Sequence, residues 1–245
     1  MGTCLNCAAD LHGDFCCRCG QPADAGRLHA RTLAREALED FAHWDSRLLR
    51  TMRALTLDPG RLCLDYVRGR RVAWFPPLRY FLTMLAAALL VMWLVGFDPV
   101  RAVADLGIDD PARTARVRKA IAESAMRHLN LAMALLAPLY ALVLRGLFRK
   151  AGHNYAENGV FALYTLGHCL VFSILLEPLK FHALGVAIGL RLGFQWLYSA
   201  WAARAFYGVS TFTAVWRCAL ATVAYFVLQN LVILALAVPA ISEVW

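Results

Sequence analysis

Long apolar runs separated by short polar segments dominate the chain from Leu78 onward, whereas the first 77 residues mix apolar and charged positions. The run Tyr80–Phe97 holds eighteen residues without a charge. As a helix it would measure about 27 Å, close to the ~30 Å apolar thickness of a bilayer. Four further apolar runs follow. We therefore predict about five transmembrane helices, at residues 78–97, 129–148, 159–176, 183–203 and 218–238.

The fourth of these runs is less certain to cross a bilayer, because Arg191 interrupts it. An arginine at the centre of a membrane helix costs about 2.5–3.5 kcal/mol on insertion scales. Four spans therefore remain open if residues 183–190 are re-entrant or belong to an outer loop.

Ahead of the apolar runs, apolar residues recur every three or four positions between Leu33 and Leu55, which indicates one face of a helix. The turn sequence LDPG at Leu57–Gly60 ends this helix. A second short helix at residues 61–67 leads to a basic cluster of three residues, Arg68, Arg70 and Arg71. We predict that these three arginines lie at the lipid surface. The amphipathic stretch either lies with them on anionic lipid of the inner leaflet or packs on the rest of the protein.

Composition and charge agree with a polytopic membrane protein. The chain is 60% hydrophobic and only 17% charged, whereas soluble domains carry about 25% charged residues. Residues 1–26 contain no apolar leader, so we expect the N-terminus to stay in the cytoplasm. With that orientation, 16 of the 25 Lys and Arg residues fall in inner segments and 7 in outer ones, as the positive-inside rule requires.

Two Cys-x-x-Cys pairs near the N-terminus carry the clearest chemical signal. Four thiolates from two such turns suit tetrahedral Zn²⁺, and reduced cytoplasmic thiols favour metal over disulfides. Gly20 follows the second pair, where a tight turn needs a positive φ, whereas Ala8 follows the first and lacks that device. We predict a structural zinc ion held by Cys4, Cys7, Cys16 and Cys19.

Two other uses of the cysteine segment are open. A cytoplasmic Cys-x-x-Cys can act as a redox dithiol, although no thioredoxin-like strand–helix pattern accompanies it. Nucleic-acid binding is disfavoured, because Arg18 is the only basic residue between the outer cysteines while Asp10 and Asp14 are acidic. Cys17 is an additional thiol, and Cys63, Cys169 and Cys218 are expected to be ordinary small apolar residues.

Ionisable residues at membrane depth are functional candidates. We single out four such residues, Glu157, His168, Glu177 and Arg191. A hydrogen-bonded, packed His168 and a helix-capping Glu157 are the simpler interpretations. Gln195, Gln229 and Asn230 could join helices by hydrogen bonds.

Three segments together resemble an uncharacterised bacterial family of zinc-ribbon-headed inner-membrane proteins, domain of unknown function 3667. They are CLNC…FCCRCGQ, then DSRLLRTMRALTLDPGRLCLDYVRGRRVAWFPPLRYFL, then YAENGVFALYTLGH. The resemblance implies an N-terminal zinc ribbon on a membrane domain and no established activity. Asn158 and Tyr164 stand where histidines are usual in the family's third span, which weakens any metal or proton-relay site built there.

These observations predict an all-α polytopic membrane protein. Its parts are a zinc-ribbon head (residues 1–26), a cytoplasmic amphipathic and basic helical region (27–77) and a transmembrane domain (78–245). We expect a non-enzymatic scaffold or sensor of the bacterial inner membrane whose head recruits a cytoplasmic protein. The alternative is a small oligomeric transporter or channel, and homo-oligomerisation is left open. A membrane enzyme has no catalytic constellation in its favour.

Overall fold

A computed structural model describes residues 2–23, 28, 46–96, 136–180 and 183–242 of the chain. Within these ranges the architecture is helical, and a short 3₁₀ turn lies at Arg149–Ala151. The helices are α1 (Ser46–Leu57), α2 (Pro59–Val67), α3 (Pro77–Val95), α4 (described over Leu136–Leu147), α5 (Tyr155–Leu175), α6 (Glu177–Lys180), α7 (Leu184–Tyr207) and α8 (Thr211–Ser242). The described part of the cysteine segment, residues 2–23, is called the head below.

Local sequence explains where several helices begin and end. Asp58 caps α2 by accepting a hydrogen bond from Arg61 N–H at 3.3 Å, and Pro59 supplies a preset φ at the first helical position. Helix α5 begins with a capping box between Asn154 and Glu157. Gly208 ends α7 in the left-handed conformation at φ 63°. The chain thus turns back at defined residues between helices.

Helix α5 lies at the centre of the bundle. It is flanked by α3 and α7, and the α1–α2 hairpin also packs against it. Tyr164 of α5 is fully buried and meets Tyr66 of α2 edge-to-face at 5.8 Å and Tyr80 of α3 at 5.9 Å between ring centroids. One continuous core therefore joins the two helices before the first apolar run to the membrane helices.

Two glycines permit close approach between helices. A Cβ atom on Gly60 would lie 2.2 Å from the Ala202 carbonyl oxygen, so α2 crosses α7 with backbone against backbone. A Cβ atom on Gly167 would lie 3.0 Å from the ring of Tyr80. Glycine at these positions lets neighbouring elements approach more closely than a side chain allows.

Three of the five predicted runs form helices that could cross a bilayer. Pro77–Val95, Tyr155–Leu175 and Thr211–Val232 are long and apolar enough to cross a bilayer. The predicted span 129–148 is described only over Leu136–Leu147, a shorter apolar helix. The predicted span 183–203 forms part of the 24-residue helix α7. Its charged and small residues lower its mean hydropathy below that of the three helices that could cross a bilayer. The count of five is therefore not confirmed.

The amphipathic stretch is described from Ser46 onward, and its earlier residues lie outside the described ranges. Helix α1 buries Leu48, Thr51 and Leu55 against the bundle, while Arg50 and Arg53 are exposed. Packing on the rest of the protein thus occurs over this part of the stretch. The exposed arginines leave contact with lipid open as well.

Candidate metal centre

The four predicted ligand cysteines come together in the head. Their sulfur atoms all lie within 4.8 Å of one another, with Cys4 Sγ 3.6 Å from Cys19 Sγ and Cys7 Sγ 3.5 Å from Cys16 Sγ. A tetrahedral site with Zn–S bonds of about 2.3 Å separates its sulfurs by roughly 3.8 Å. The cluster therefore has the size that a tetrahedral metal ion requires. Cys17 is exposed.

The head is built from two copies of one knuckle, related by a shift of twelve residues. Cys4 N–H donates to Ala9 O as Cys16 N–H donates to Gln21 O, both at 2.8 Å. The isolated bridges Thr3–Asp10 and Phe15–Pro22 obey the same shift. These bridges are the only β pairing in the described part of the head, so a strand-built zinc ribbon is not confirmed.

The first knuckle corrects the expectation that its turn lacks a positive φ. Ala8 adopts φ 56° and Gly20 adopts φ 71°, so both turns are left-handed. Ala8 N–H donates to Cys4 O at 2.9 Å, the same bond that Gly20 N–H makes to Cys16 O. A left-handed alanine costs about 1–2 kcal/mol. The hydrogen bond within the knuckle thus holds Ala8 in a left-handed conformation that alanine normally avoids.

Backbone N–H groups hydrogen-bond cysteine sulfurs of the cluster and favour their thiolate forms, which bind cations. The N–H groups of Arg18 and Cys19 hold the pKa of Cys16 below its ordinary value. The Ala9 N–H group favours the thiolate of Cys7, but burial and the other three sulfurs raise its pKa to about 12. Four thiols at this spacing cannot all ionise alone, because like charges repel. A bound cation would remove that repulsion.

The head docks on the turn between α2 and α3 through two amide side chains. Gln21 is almost fully buried, and its Oε1 accepts from Arg71 N–H at 3.3 Å and from Val72 N–H at 3.4 Å. Asn6 Oδ1 accepts from Ala73 N–H at 3.2 Å, and the Asn6 side chain also hydrogen-bonds the sulfur of Cys19. Asn6 therefore connects a candidate metal ligand directly to the helical bundle.

The same turn is fixed on its other side by the bundle. Phe75 N–H donates to Thr51 Oγ1 of α1 at 2.9 Å, and Phe75 O accepts from Tyr164 OH of α5 at 2.6 Å. Residues 71–75, called the junction turn below, thus contact the head, α1 and α5. Sequence reasoning placed the domain boundary here without identifying these contacts, which join residues far apart in the chain.

Glu157 lies at the start of α5 among polar partners. Its Oε2 accepts from Asn154 N–H at 2.7 Å and lies 3.3 Å from His153 Nδ1. Asn158, the next residue, accepts from Tyr207 OH at 2.7 Å and donates to Asn154 O at the same distance. The carboxylate therefore has the capping geometry of the simpler interpretation, with a neighbouring histidine that the sequence analysis did not single out.

His168 lies at the contact between α5, α3 and α1. Its Nδ1 is 2.9 Å from Tyr80 OH, and its Nε2 is 3.3 Å from Thr56 Oγ1. The ring also stacks on Tyr198 with 5.2 Å between centroids. Both nitrogens are engaged in packing contacts, so neither is free to bind a metal in this arrangement.

The two remaining candidates lie on α7 and α6. Arg191 donates to Gln229 Oε1 of α8 at 3.3 Å, which provides the guanidinium with a polar partner between two helices. Glu177 is buried at the first position of α6. Glu157, His168 and Arg191 thus each have polar partners within the described residues.

Apart from Gln195, sequence reasoning missed a set of buried polar side chains on α4, α7 and α8. The Ser199 hydroxyl faces the Tyr140 hydroxyl, yet neither reaches hydrogen-bonding geometry, and Gln195 Nε2 and Thr222 Oγ1 are also without described partners. All four residues are at least 94% buried. Gln195 and Ser199 are one turn apart, a spacing that could have indicated a shared helix face.

The basic cluster after α2 is divided between solvent and protein. Arg68 and Arg70 are exposed, and Arg70 pairs with Asp65 at 3.5 Å and lies over the Trp74 ring. Arg71 is half-buried at the junction turn. The three other cysteines predicted to be ordinary apolar residues are buried in the helical bundle, namely Cys63, Cys169 and Cys218.

Comparison with known proteins supports the family resemblance over one segment. Residues 45–89 match the family model described as Protein of unknown function (DUF3667). The matched segment contains α1, α2, the junction turn and most of α3. No curated protein and no solved structure matches the chain.

Proposed function

We propose that this chain is a non-enzymatic scaffold or sensor of the bacterial inner membrane, with a zinc-bound head in the cytoplasm. One observation carries the proposal: the four-cysteine cluster is hydrogen-bonded through Asn6 to the junction turn of the membrane domain. A metal-stapled module attached this way is positioned at the membrane surface. Its role is to present a fixed surface to a cytoplasmic protein.

The distribution of charge supports the proposed orientation. Exposed Arg and Lys residues occur where the end of α2, the turn before α5 and the end of α7 meet, near the junction turn. Among the described residues they include Arg68, Arg70, Arg149, Lys150 and Arg204. A cytoplasmic head end agrees with the excess of basic residues on that side of inner-membrane proteins.

The head also has an apolar surface suited to a protein partner. Phe15 is 65% exposed and Leu5 is 55% exposed, although each lies beside a buried ligand cysteine. A module this small has few apolar residues to spare for solvent, since metal rather than a core holds it together. Exposed aromatic residues of this kind are enriched in protein interfaces.

Metal analysis of the purified full-length protein tests the zinc proposal. We expect one zinc ion per chain in the wild type. Cys16→Ser should lose the metal and remain in the membrane fraction, whereas the adjacent exposed Cys17→Ser should keep the metal. A metal-free wild type, or equal loss in both variants, would reject the zinc assignment.

Site-specific crosslinking tests recruitment separately. A photoreactive residue at position 15 should crosslink a distinct cytoplasmic protein in cells, and one at position 12, also exposed, serves as the control on the same head. Loss of the crosslinked species on introducing Cys16→Ser would tie recruitment to the metal. Identical crosslinking from both positions, or none from position 15, would contradict a partner at the apolar surface.

A transport role is the second candidate, and the buried polar group on α4, α7 and α8 favours it. Unsatisfied hydroxyl and amide groups at membrane depth are costly and are often hydrated where solutes pass. Proton flux into liposomes carrying the purified protein distinguishes the two proposals. The scaffold proposal expects flux equal to that of empty liposomes, and the transport proposal expects flux that Arg191→Gln abolishes.

A further inference from the structure

A cavity of about 630 Å³ opens at the head end of the bundle, apart from the metal centre. Three elements form it: the end of α2, the turn that precedes α5 and the end of α7. Its lining includes Leu64 and Val67 on one wall, Phe206 on another, and Arg68 and His153 as polar groups. Its volume falls within the range of about 300–1,000 Å³ that is usual for small-molecule sites.

The charges that line the cavity favour an anion. His153 Nδ1 lies 3.3 Å from Glu157 Oε2, and His153 Nε2 lies 3.3 Å from the Phe206 carbonyl oxygen. Glu157, which also lines the cavity, is already engaged by the cap of α5, since its Oε2 accepts from Asn154 N–H at 2.7 Å. Arg68 is exposed and forms no ion pair with a described residue. Its positive charge therefore has no paired opposite charge among the described residues.

Further basic residues flank the same opening. Arg149 and Lys150 directly precede the lining residue Ala151, and Arg204 directly precedes the lining residue Ala205. All three side chains are exposed. A cluster of cations around a concave site concentrates anions there. Guanidinium groups bind phosphate with paired hydrogen bonds, which gives phosphate an advantage over a simple halide.

The cavity lies at the level expected for lipid headgroups. Gly208 lines it, and α8 begins three residues later with Phe212 83% exposed and Trp216 59% exposed. Exposed aromatic residues at the end of a membrane helix mark the boundary between apolar chains and headgroups. The apolar wall formed by Leu64, Val67 and Phe206 is suited to the glycerol and first methylene groups of a lipid.

We propose that this cavity binds the phosphate of an anionic membrane lipid, with Arg68 as its principal ligand. The proposal goes beyond the scaffold function and does not depend on the metal centre. It assigns Arg68 a specific contact, whereas Arg70 is already paired with Asp65. Binding there would hold α2, α5 and α7 together at the head end.

Thermal unfolding of the metal-loaded protein in a neutral detergent tests the proposal. The probes are dioctanoyl phosphatidylglycerol, dioctanoyl phosphatidylcholine and soluble glycerol 1-phosphate, each titrated separately. We expect phosphatidylglycerol to raise the melting temperature saturably. Arg68→Gln should weaken its apparent affinity at least tenfold. Arg53→Gln removes another exposed arginine, outside the cavity, and should change the affinity less than twofold.

A second variant separates the site from general electrostatic attraction. Val67→Trp keeps every charge but fills part of the cavity, and it should weaken phosphatidylglycerol binding while the protein remains metal-loaded. Equal stabilisation by glycerol 1-phosphate would support the phosphate site and assign it to a soluble ligand. Equal stabilisation by phosphatidylcholine, or equal losses in the Arg68 and Arg53 variants, would overturn the proposal.

Discussion

The crossing of α2 over α7 depends on the absence of a side chain at Gly60. Substituting alanine places a Cβ atom 2.2 Å from the Ala202 carbonyl oxygen, 2.8 Å from Ala205 Cβ and 3.1 Å from the Ala202 carbonyl carbon. Two of these three neighbours are backbone atoms, so no rotamer change can relieve the overlap. The two helices must instead move apart.

The required movement sets the size of the effect. Ordinary contact begins near 3.4 Å, so α2 must shift by about 1.2 Å from a helix against which carbon and oxygen atoms are already close-packed. Overpacking of this kind typically costs about 1–3 kcal/mol. The intrinsic preference of helices for alanine offsets up to about 1 kcal/mol of that cost. Because the overlap involves backbone atoms, its cost lies near the upper end of the range of about 1–3 kcal/mol. We therefore expect the free energy of unfolding to fall by about 2 kcal/mol.

Thermal unfolding in detergent, followed by tryptophan fluorescence, measures this loss. For a chain of this size, about 2 kcal/mol corresponds to a fall of roughly 4–8 °C in the melting temperature. Gly193→Ala is the matched control, because it lies within α7 itself and a Cβ atom there meets nothing within 4 Å. If Gly60→Ala is as stable as the control, the close backbone crossing is incorrect.

Four further substitutions test other contacts. Ala8→Gly should strengthen retention of metal against a chelator by up to about 1 kcal/mol, and Gly20→Ala should weaken it, because both positions have a left-handed φ. Weaker retention in Ala8→Gly together with stronger retention in Gly20→Ala would contradict the knuckle geometry. Tyr164→Phe should lower the melting temperature by the equivalent of about 1 kcal/mol, since it removes the 2.6 Å bond to Phe75 O; an unchanged melting temperature would argue against that bond. Thr222→Val should raise the melting temperature by relieving a buried, unsatisfied hydroxyl group, and a clear decrease would instead indicate a bound water molecule and favour the transport alternative.

Features encoded locally could be predicted from the sequence. The spacing of Cys4, Cys7, Cys16 and Cys19 specifies the cluster, since two tight turns bring four sulfurs together without help from the rest of the chain. The apolar runs that form α3, α5 and α8 could likewise be recognised in the sequence. Helix limits were less accurate. Helix α5 begins at Tyr155, before the apolar run, because Asn154 and Glu157 form a capping box at its start. Their side chains are polar, so the hydropathy pattern alone does not assign them to the helix.

Contacts between distant residues could not be predicted in the same way. Arg191 made the fourth run doubtful, yet α7 continues through it because Gln229, 38 residues later, supplies a hydrogen-bond partner. Similarly, nothing near Asn6 in the sequence indicates Ala73 as its partner. Such pairs depend on how helices cross, and the crossing depends in turn on a few small residues such as Gly60.

The segment that matches the family model is where these separate contacts meet. Within residues 45–89, Gly60 sets the crossing with α7, the junction turn receives the head, and Thr51 and Tyr80 bond to Phe75 and His168. A displacement of the head therefore reaches α1 and α5 through Phe75, since both hydrogen-bond its backbone. The matched segment therefore connects the four-cysteine head to the apolar helices of the bundle. This predicts that loss of metal in Cys16→Ser lowers the melting temperature of the helical bundle itself, which Cys17→Ser should leave unchanged.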